Sequence, residues 1–298
     1  PYFSLPRPYF ELIDAKILQT FYFTKLKKVL EKYNPDLIYC HWLRPWAEVS
    51  AGLAEYFKIP FILDHHEDLP TLKKLFPSDY NEFLKTFEKA DKVIVHSNYN
   101  KSDLENENLN IGDIKVIYLG QNFTVSEDSK KFSDSGKKLV CVSHLNEPRK
   151  NIDVLIKAFS YLKNNSDFNL TIVGDGILKE NYIELAESLS ISDKIKFTGS
   201  KTQIEVEAIL EKSDIFILPS FPEAFGVVFI EALAKGLPVI TCKGNGGGEE
   251  LLKLGYPVIL TEPDSDRALS EAILNLSGNS DKMRLMSETG KTILKNNF

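Results

Sequence analysis

Ten short apolar runs recur along the chain with helix-like stretches between them, and this alternation most limits the fold. Leu37–Cys40, Phe61–Leu63, Val93–Val95 and Lys115–Tyr118 make a first set. Leu139–Val142, Leu170–Val173, Ile195–Phe197, Ile215–Leu218, Pro238–Thr241 and Pro257–Leu260 make a second. Runs of this kind suit parallel strands covered by helices on both faces. The stretches between them carry apolar residues at steps of three and four, as in Val154–Leu162, Tyr182–Leu189 and Ile204–Leu210. Ala15–Tyr33 shows the same spacing through Leu18, Tyr22, Leu26, Val29 and Tyr33. Residues 121–137 are polar and aperiodic. The chain therefore reads as α/β, with two doubly wound domains, 1–122 and 138–298, joined by a linker, 123–137. Sheets of this type bind ligands beyond the carboxyl ends of their strands. All five histidines (His41, His65, His66, His96 and His144) fall at or just past the end of an apolar run.

Composition removes several function classes. A net charge of −6 argues against a nucleic-acid partner. Cys40, Cys141 and Cys242 are isolated, each in or beside an apolar run, with neither a disulfide framework nor metal spacing; they read as reduced core residues of a cytosolic protein. No apolar run approaches the ~20 residues of a membrane span.

The second set contains the segment with most chemical content, Pro219-Ser-Phe-Pro-Glu-Ala-Phe-Gly-Val-Val-Phe-Ile-Glu-Ala-Leu-Ala-Lys-Gly-Leu-Pro238. A helix is expected to open near Phe225-Gly226 and to stop at Lys235-Gly236, with Pro238 barring continuation. Its interior is apolar nearly all round, so Glu231 is costly there unless something hydrogen-bonds it. Glu223 sits about two turns away, at the helix mouth. The competing reading pairs Glu231 with Lys235 at i,i+4 on an exposed strip, worth a few tenths of a kcal/mol.

Two glutamates seven residues apart, with Phe-Gly after the first and Gly-x-Pro closing the helix, resemble the signature of family 4 glycosyltransferases. Pro35-Asp-Leu-Ile-Tyr-Cys-His41, Ala90-Asp-Lys-Val-Ile-Val-His-Ser97, Val116-Ile-Tyr-Leu-Gly120, Pro148-Arg-Lys150 and Val173-Gly-Asp-Gly176 follow in the family's order. The resemblance implies two Rossmann-like domains facing across a cleft, the GT-B architecture. It implies a retaining hexosyltransferase that moves a sugar from a nucleoside diphosphate sugar to a hydroxyl of a saccharide or lipid-linked acceptor, as in polysaccharide or glycolipid synthesis. No metal or other cofactor is expected, because such enzymes hold the diphosphate with basic side chains and a helix N-terminus. By the same resemblance Glu223 and His66 are catalytic, His66 reaching the donor sugar from the first domain, with His65 as the fallback. His144, Arg149, Lys150, Phe225, Gly226, Val227, Val228 and Glu231 would hold the donor, Glu231 through the ribose. Gly226 is expected to leave room for the ligand's close approach. Ser143 and His144 stand where the family usually has Gly-Arg, which replaces a fixed cation by a mostly neutral ring. The family's opening strand and final helix are missing, so the sequence is expected to be a fragment.

Other segments read more plainly. Asp64-His-His-Glu-Asp68 has metal-ligand residue types, but neighbours on an extended segment point opposite ways and do not all converge. Asp264-Ser-Asp266 stands before a helical run, where Asp is a preferred cap. Gly174-Asp-Gly176 lacks the third glycine of a dinucleotide fingerprint. The 15–33 helix carries lysines and aromatics suited to peripheral contact at the inner membrane face, although packing on the first sheet is the stronger expectation. A nucleotide-sugar-binding module without transfer activity, or a GT-B epimerase or phosphorylase, are the alternatives.

Overall fold

The structure, a computed structural model, describes residues 15–41, 45–75, 77–119, 124–132, 137–163 and 167–297. The expected terminal segments, Gly120 and part of the expected linker lie outside these residues. The chain divides into two compact units, residues 1–118 and 119–298.

In the first unit the order is α1 (Ala15–Tyr33), β1 (Ile38–Cys40), α2 (Trp46–Phe57), β2 (Phe61–His65), α3 (Leu69–Leu75), α4 (Tyr80–Glu88), β3 (Lys92–Val95), α5 (Asn98–Asn106) and β4 (Ile114–Val116). The four strands pair in parallel in the order β1-β2-β3-β4. Phe61, Leu63, Val93 and Val95 are buried in one core with Phe83, Phe87 and Leu104. Strand β2 continues past its apolar run because Asp64 and His65 pair with Ile94 and Val95. Strand β4 stops at Val116, whose partner Val95 ends β3. Helix α1 packs on α2 and buries Leu18, while Ile17, Phe21, Val29 and Tyr33 stay exposed.

The second unit runs β5 (Lys138–Val142), α6 (Ile152–Ser160), β6 (Asn169–Val173), α7 (Lys179–Ser188), β7 (Ile195–Phe197), α8 (Gln203–Glu211), β8 (Ile215–Ile217), α9 (Val227–Ala234), β9 (Val239–Cys242), α10 (Gly246–Lys253), β10 (Val258–Thr261), α11 (Asp266–Ser277) and α12 (Ser280–Asn297). Its six parallel strands lie in the order β10-β9-β8-β5-β6-β7. Strands β8 and β9 are buried throughout, which explains their unbroken apolar runs. Winding proceeds from β5 outward to β7, then returns beside β5 and proceeds to β10. The switch point therefore lies between β5 and β8, where a sheet of this topology opens a crevice at its carboxyl edge.

The described residues of the expected linker pack on this unit. Ser126 N–H donates to Ala234 O at 2.9 Å, and Lys130 Nζ donates to Leu210 O and Glu211 O at 3.3 and 3.0 Å. Lys291 Nζ donates to Asp128 O at 2.7 Å.

Helix α10 presses against the loop after β8. A Cβ at Gly247 would lie 1.8 Å from the Phe225 carbonyl oxygen, so only glycine permits this approach. Gly247→Ala is expected to lower stability by ~1–3 kcal/mol. The fall should appear as a lower urea midpoint at unchanged m-value.

Candidate functional site

Two loops leave the sheet at the switch point. After β5 the chain passes Ser143 and His144, then makes a 3₁₀ turn at Pro148–Lys150 that places Lys150 in a buried position. After β8 it runs from Leu218 to Gly226 and enters α9. The second loop is anchored from beneath by Asn245, which is fully buried. Its amide nitrogen donates to Ser220 O at 2.7 Å and approaches Ser220 Oγ and Thr241 Oγ1 at 3.1 and 3.0 Å. Its oxygen accepts from Gly248 N–H at 2.9 Å, capping α10.

The loops meet in an ion pair. Lys150 Nζ donates to Glu223 Oε2 at 2.6 Å, with side chains 9% and 12% exposed. They line a crevice of about 460 Å³ with Ser143, His144, Gly174, Asp175, Gly226, Val227, Val228 and Glu231. Glu231 lies in α9 between buried Ile230 and Ala232 and is itself buried, and it accepts from Gln203 Nε2 at 3.2 Å. Lys235 turns instead to α8, with Nζ 2.7 Å from Glu207 and 3.3 Å from Glu211, so the surface i,i+4 reading of Glu231 fails. Helix α9 ends as expected: Leu237 N–H donates to Ala232 O and Gly236 N–H to Leu233 O, the two bonds of a Schellman motif.

Gly226 occupies the N-cap of α9 at φ 73°, and a Cβ there would lie 2.5 Å from the Phe229 ring. Two local reasons for glycine thus stand beside the expected room for a ligand, left-handed backbone and the ring beneath it. Glycine has no side chain to cap the first turn, whereas Ser97, Thr202, Asn245 and Ser265 cap α5, α8, α10 and α11. First-turn N–H groups lack intrahelical acceptors. Those of α9 open at the crevice, where the macrodipole favours an anion.

Not every expected donor residue reaches this place. The Phe225 ring, 3% exposed, belongs to the core; the donor contact expected of this residue is through its backbone N–H at the mouth of α9. Arg149 pairs with Glu147 and donates from Nη1 to Pro222 O at 2.9 Å, bracing the two loops against each other instead of lining the crevice. His144 lines it, with its pKa pushed down by burial and by the Lys150 charge. Asp264-Ser-Asp266 does cap a helix, but the cap is Ser265, while Asp264 accepts from Asn151 Nδ2 at 3.1 Å. Gln203, Ser200 and Lys201 line the crevice and were missed by sequence reasoning. Asn245 was missed too, although a Gly-Asn-Gly-Gly-Gly run between a strand and a helix, 244–248, is a legible signal.

In the first unit His66 sits just past β2, half-buried, beside Asp64, His41 and His96. His65 points the other way against Phe87, and burial pushes its pKa down to about 3, so the fallback residue is a neutral core histidine.

The sequence profile of the glycosyl transferases group 1 matches residues 125–293, and that of glycosyltransferase family 4 matches residues 2–123. An uncharacterized glycosyltransferase of Methanocaldococcus jannaschii is 32% identical over 272 residues, 90% of this chain and 73% of the relative. The chain belongs to the group 1 glycosyl transferases. The N-acetyl-alpha-D-glucosaminyl L-malate synthase of Bacillus anthracis is 27% identical over 92% of this chain and 74% of its own length. Anabaena Alr3699/HepE, crystallised with UDP-glucose, superimposes with a TM-score of 0.78 at 21% identity, covering 93% of this chain and 78% of that one. The fold is the GT-B type with two Rossmann-like domains.

Within this group 1 glycosyl transferase the Lys150–Glu223 pair is a testable unit. Breaking a buried pair on one side leaves an uncompensated charge and costs ~3–5 kcal/mol. Lys150→Met and Glu223→Gln are each expected to destabilise, with the double variant less destabilised than the sum by ~1–3 kcal/mol in a urea double-mutant cycle.

A bound anion would favour the protonated form of His144, so affinity for a diphosphate diester should rise as pH falls through the histidine's pKa. His144→Arg is expected to strengthen binding at pH 8 and to flatten that dependence, measured by calorimetry between pH 5.5 and 8.

Proposed function

We propose that the chain transfers a hexose from a nucleoside diphosphate sugar to a hydroxyl acceptor with retention of anomeric configuration. One observation carries this reading. Glu231, buried in an apolar helix, opens into the same crevice as Glu223, Lys150 and the uncapped start of α9. A cation and a free helix N-terminus suit a diphosphate, and two carboxylates suit ribose and sugar hydroxyls.

In this reading the diphosphate lies against the first turn of α9 and takes Lys150 from Glu223. Glu223 is then released to accept from sugar hydroxyls and to steady the positive charge that develops as the anomeric bond to phosphate breaks. Glu231 holds the ribose, and Gln203 orients it. No metal is needed on the diphosphate, because its charge meets Lys150 and the helix dipole. His66 belongs to the proposal through the family resemblance. The relatives' printed activities and the UDP-glucose bound by HepE support a nucleotide-sugar donor. The acceptor would be a saccharide or a lipid-linked hydroxyl. No described helix is long and apolar enough to cross a membrane, and we place the protein in the cytoplasm, with the exposed residues of α1 as its peripheral membrane contact.

The first experiment is a thermal-shift screen against UDP, GDP, ADP and their sugars. One base is expected to raise the melting temperature, and a flat response to all would overturn the donor reading. Glu231→Ala should weaken nucleotide binding. Glu223→Ala should lower turnover by ~10²–10³ with donor affinity held or raised, since Lys150 is freed. Equal losses of affinity and rate in both variants would remove this division of roles. Donor binding without release or transfer of the sugar, in the wild-type chain, would favour the binding-module alternative.

A further inference from the structure

The carboxyl edge of the first unit's sheet gathers a cluster of which only His66 enters the donor reading, and that through the family resemblance alone. It draws on three strands. Asp64 is the last but one residue of β2 and is 2% exposed; His41 follows β1, His66 follows β2 and His96 follows β3. His41 Nδ1 is 3.2 Å from His66 Nε2 and 3.1 Å from Asp64 Oδ2, and His66 Nε2 is 3.5 Å from Asp64 Oδ1. Neighbouring side chains on one strand diverge, and His65 does so; the convergence comes from residues two apart and from the next strand over.

His96 Nδ1 is 2.8 Å from the Ile117 carbonyl oxygen, which only accepts, so Nδ1 carries the proton there. The other ring nitrogen, Nε2, lies 2.8 Å from Asp64 Oδ1, so His96 holds that oxygen from the side away from His41. Tyr39 donates to the other oxygen, Oδ2, at 2.6 Å. The geometry therefore brings two imidazole nitrogens and a buried carboxylate from neighbouring strands to one point, and with the ring protons on their outer nitrogens His41 and His66 both turn a lone pair inward.

We propose that His41, Asp64 and His66 bind a divalent metal ion of the zinc class. Two imidazoles and a carboxylate form a three-residue set that leaves a fourth position open to water or another oxygen ligand. Zinc–nitrogen and zinc–oxygen bonds of ~2.0–2.1 Å place tetrahedral donors ~3.3 Å apart; His41 Nδ1 lies 3.2 Å from His66 Nε2 and 3.1 Å from Asp64 Oδ2, and the other carboxylate oxygen, Oδ1, is 3.5 Å from His66 Nε2. Tyr39 and His96 supply the outer contacts that orient the carboxylate. His41 is more than half exposed, which gives the ion a route in. The proposal stands on the first unit alone; it gives His66 to the metal in place of the donor-sugar contact that the family resemblance implies.

The test uses the whole chain without a histidine tag, loaded with Zn²⁺ and dialysed, with metal content measured by mass spectrometry. About one bound equivalent is expected, and Co²⁺ in its place should give the intense visible bands of a four-coordinate site. His41→Ala and His66→Ala should each weaken Zn²⁺ affinity at least ~10-fold in competition with a chelating dye. His41 is exposed enough that its truncation leaves the fold intact, and a circular dichroism melt checks this. Absence of retained zinc, or zinc held equally well by the double variant, would overturn the proposal. Nucleotide thermal shifts report separately on the second unit, so failure of either reading is told apart from failure of the other.

Discussion

The crevice of the second unit depends on a buried amide. Asn245 reaches from the start of α10 under the loop after β8, joining Ser220 and Thr241 while capping its own helix. Thr241 Oγ1 donates in turn to Leu218 O at 2.7 Å, so the last residues of β8 are tied to β9 beyond the end of the ladder. Each bond contributes about 1 kcal/mol net, but leaving a buried amide half satisfied costs ~1–3 kcal/mol. The network therefore tolerates one loop position and penalises others. That position aims Glu223 at Lys150 and starts α9 where its N–H groups face the crevice.

The resting Lys150–Glu223 pair fits this economy of charge. A lone lysine or a lone glutamate at 9–12% exposure would bear most of its desolvation cost with nothing in return. Together they neutralise each other, and under the proposed function a diphosphate with a neutral sugar would exchange their partners, the anion taking the cation and the hydroxyls the carboxylate. Such a site holds its charges ready without paying for them unpaired.

Much of this was legible in the residues. Apolar runs gave the ten strands among the described residues, unbroken in β8 and β9, which are buried throughout, and interrupted by an exposed lysine in β4 and β7, and the Gly-x-Pro ending of α9 marked its Schellman cap. Strand ends were harder, because β2 runs on through Asp64 and His65 by pairing with β3, and pairing is not a local property. The glutamate spacing placed Glu223 and Glu231 on one crevice. It did not show that Arg149 would brace the loops, that Phe225 would face the core, or that Lys150 would meet Glu223 from 73 residues away. The metal-like Asp64-His-His segment shows the same limit. Divergence of adjacent side chains correctly removes His65, but the partners that matter, His41 and His96, come from neighbouring strands.

His144 shows how the protein redistributes the work of holding an anion. An arginine there would offer a permanent charge and paired donors, worth roughly 1.5–3 kcal/mol in a charge-assisted bond. A histidine with a depressed pKa offers a neutral ring near pH 7. The binding left to the site then comes from Lys150 and from the start of α9, whose dipole contributes ~0.3–1 kcal/mol at an exposed end and up to ~2 kcal/mol where partly buried. Neither source depends on pH in the neutral range. Under the proposed function the site therefore holds the donor with one fixed cation fewer, and Glu147 and Pro222, which share Arg149, keep that guanidinium from making up the difference.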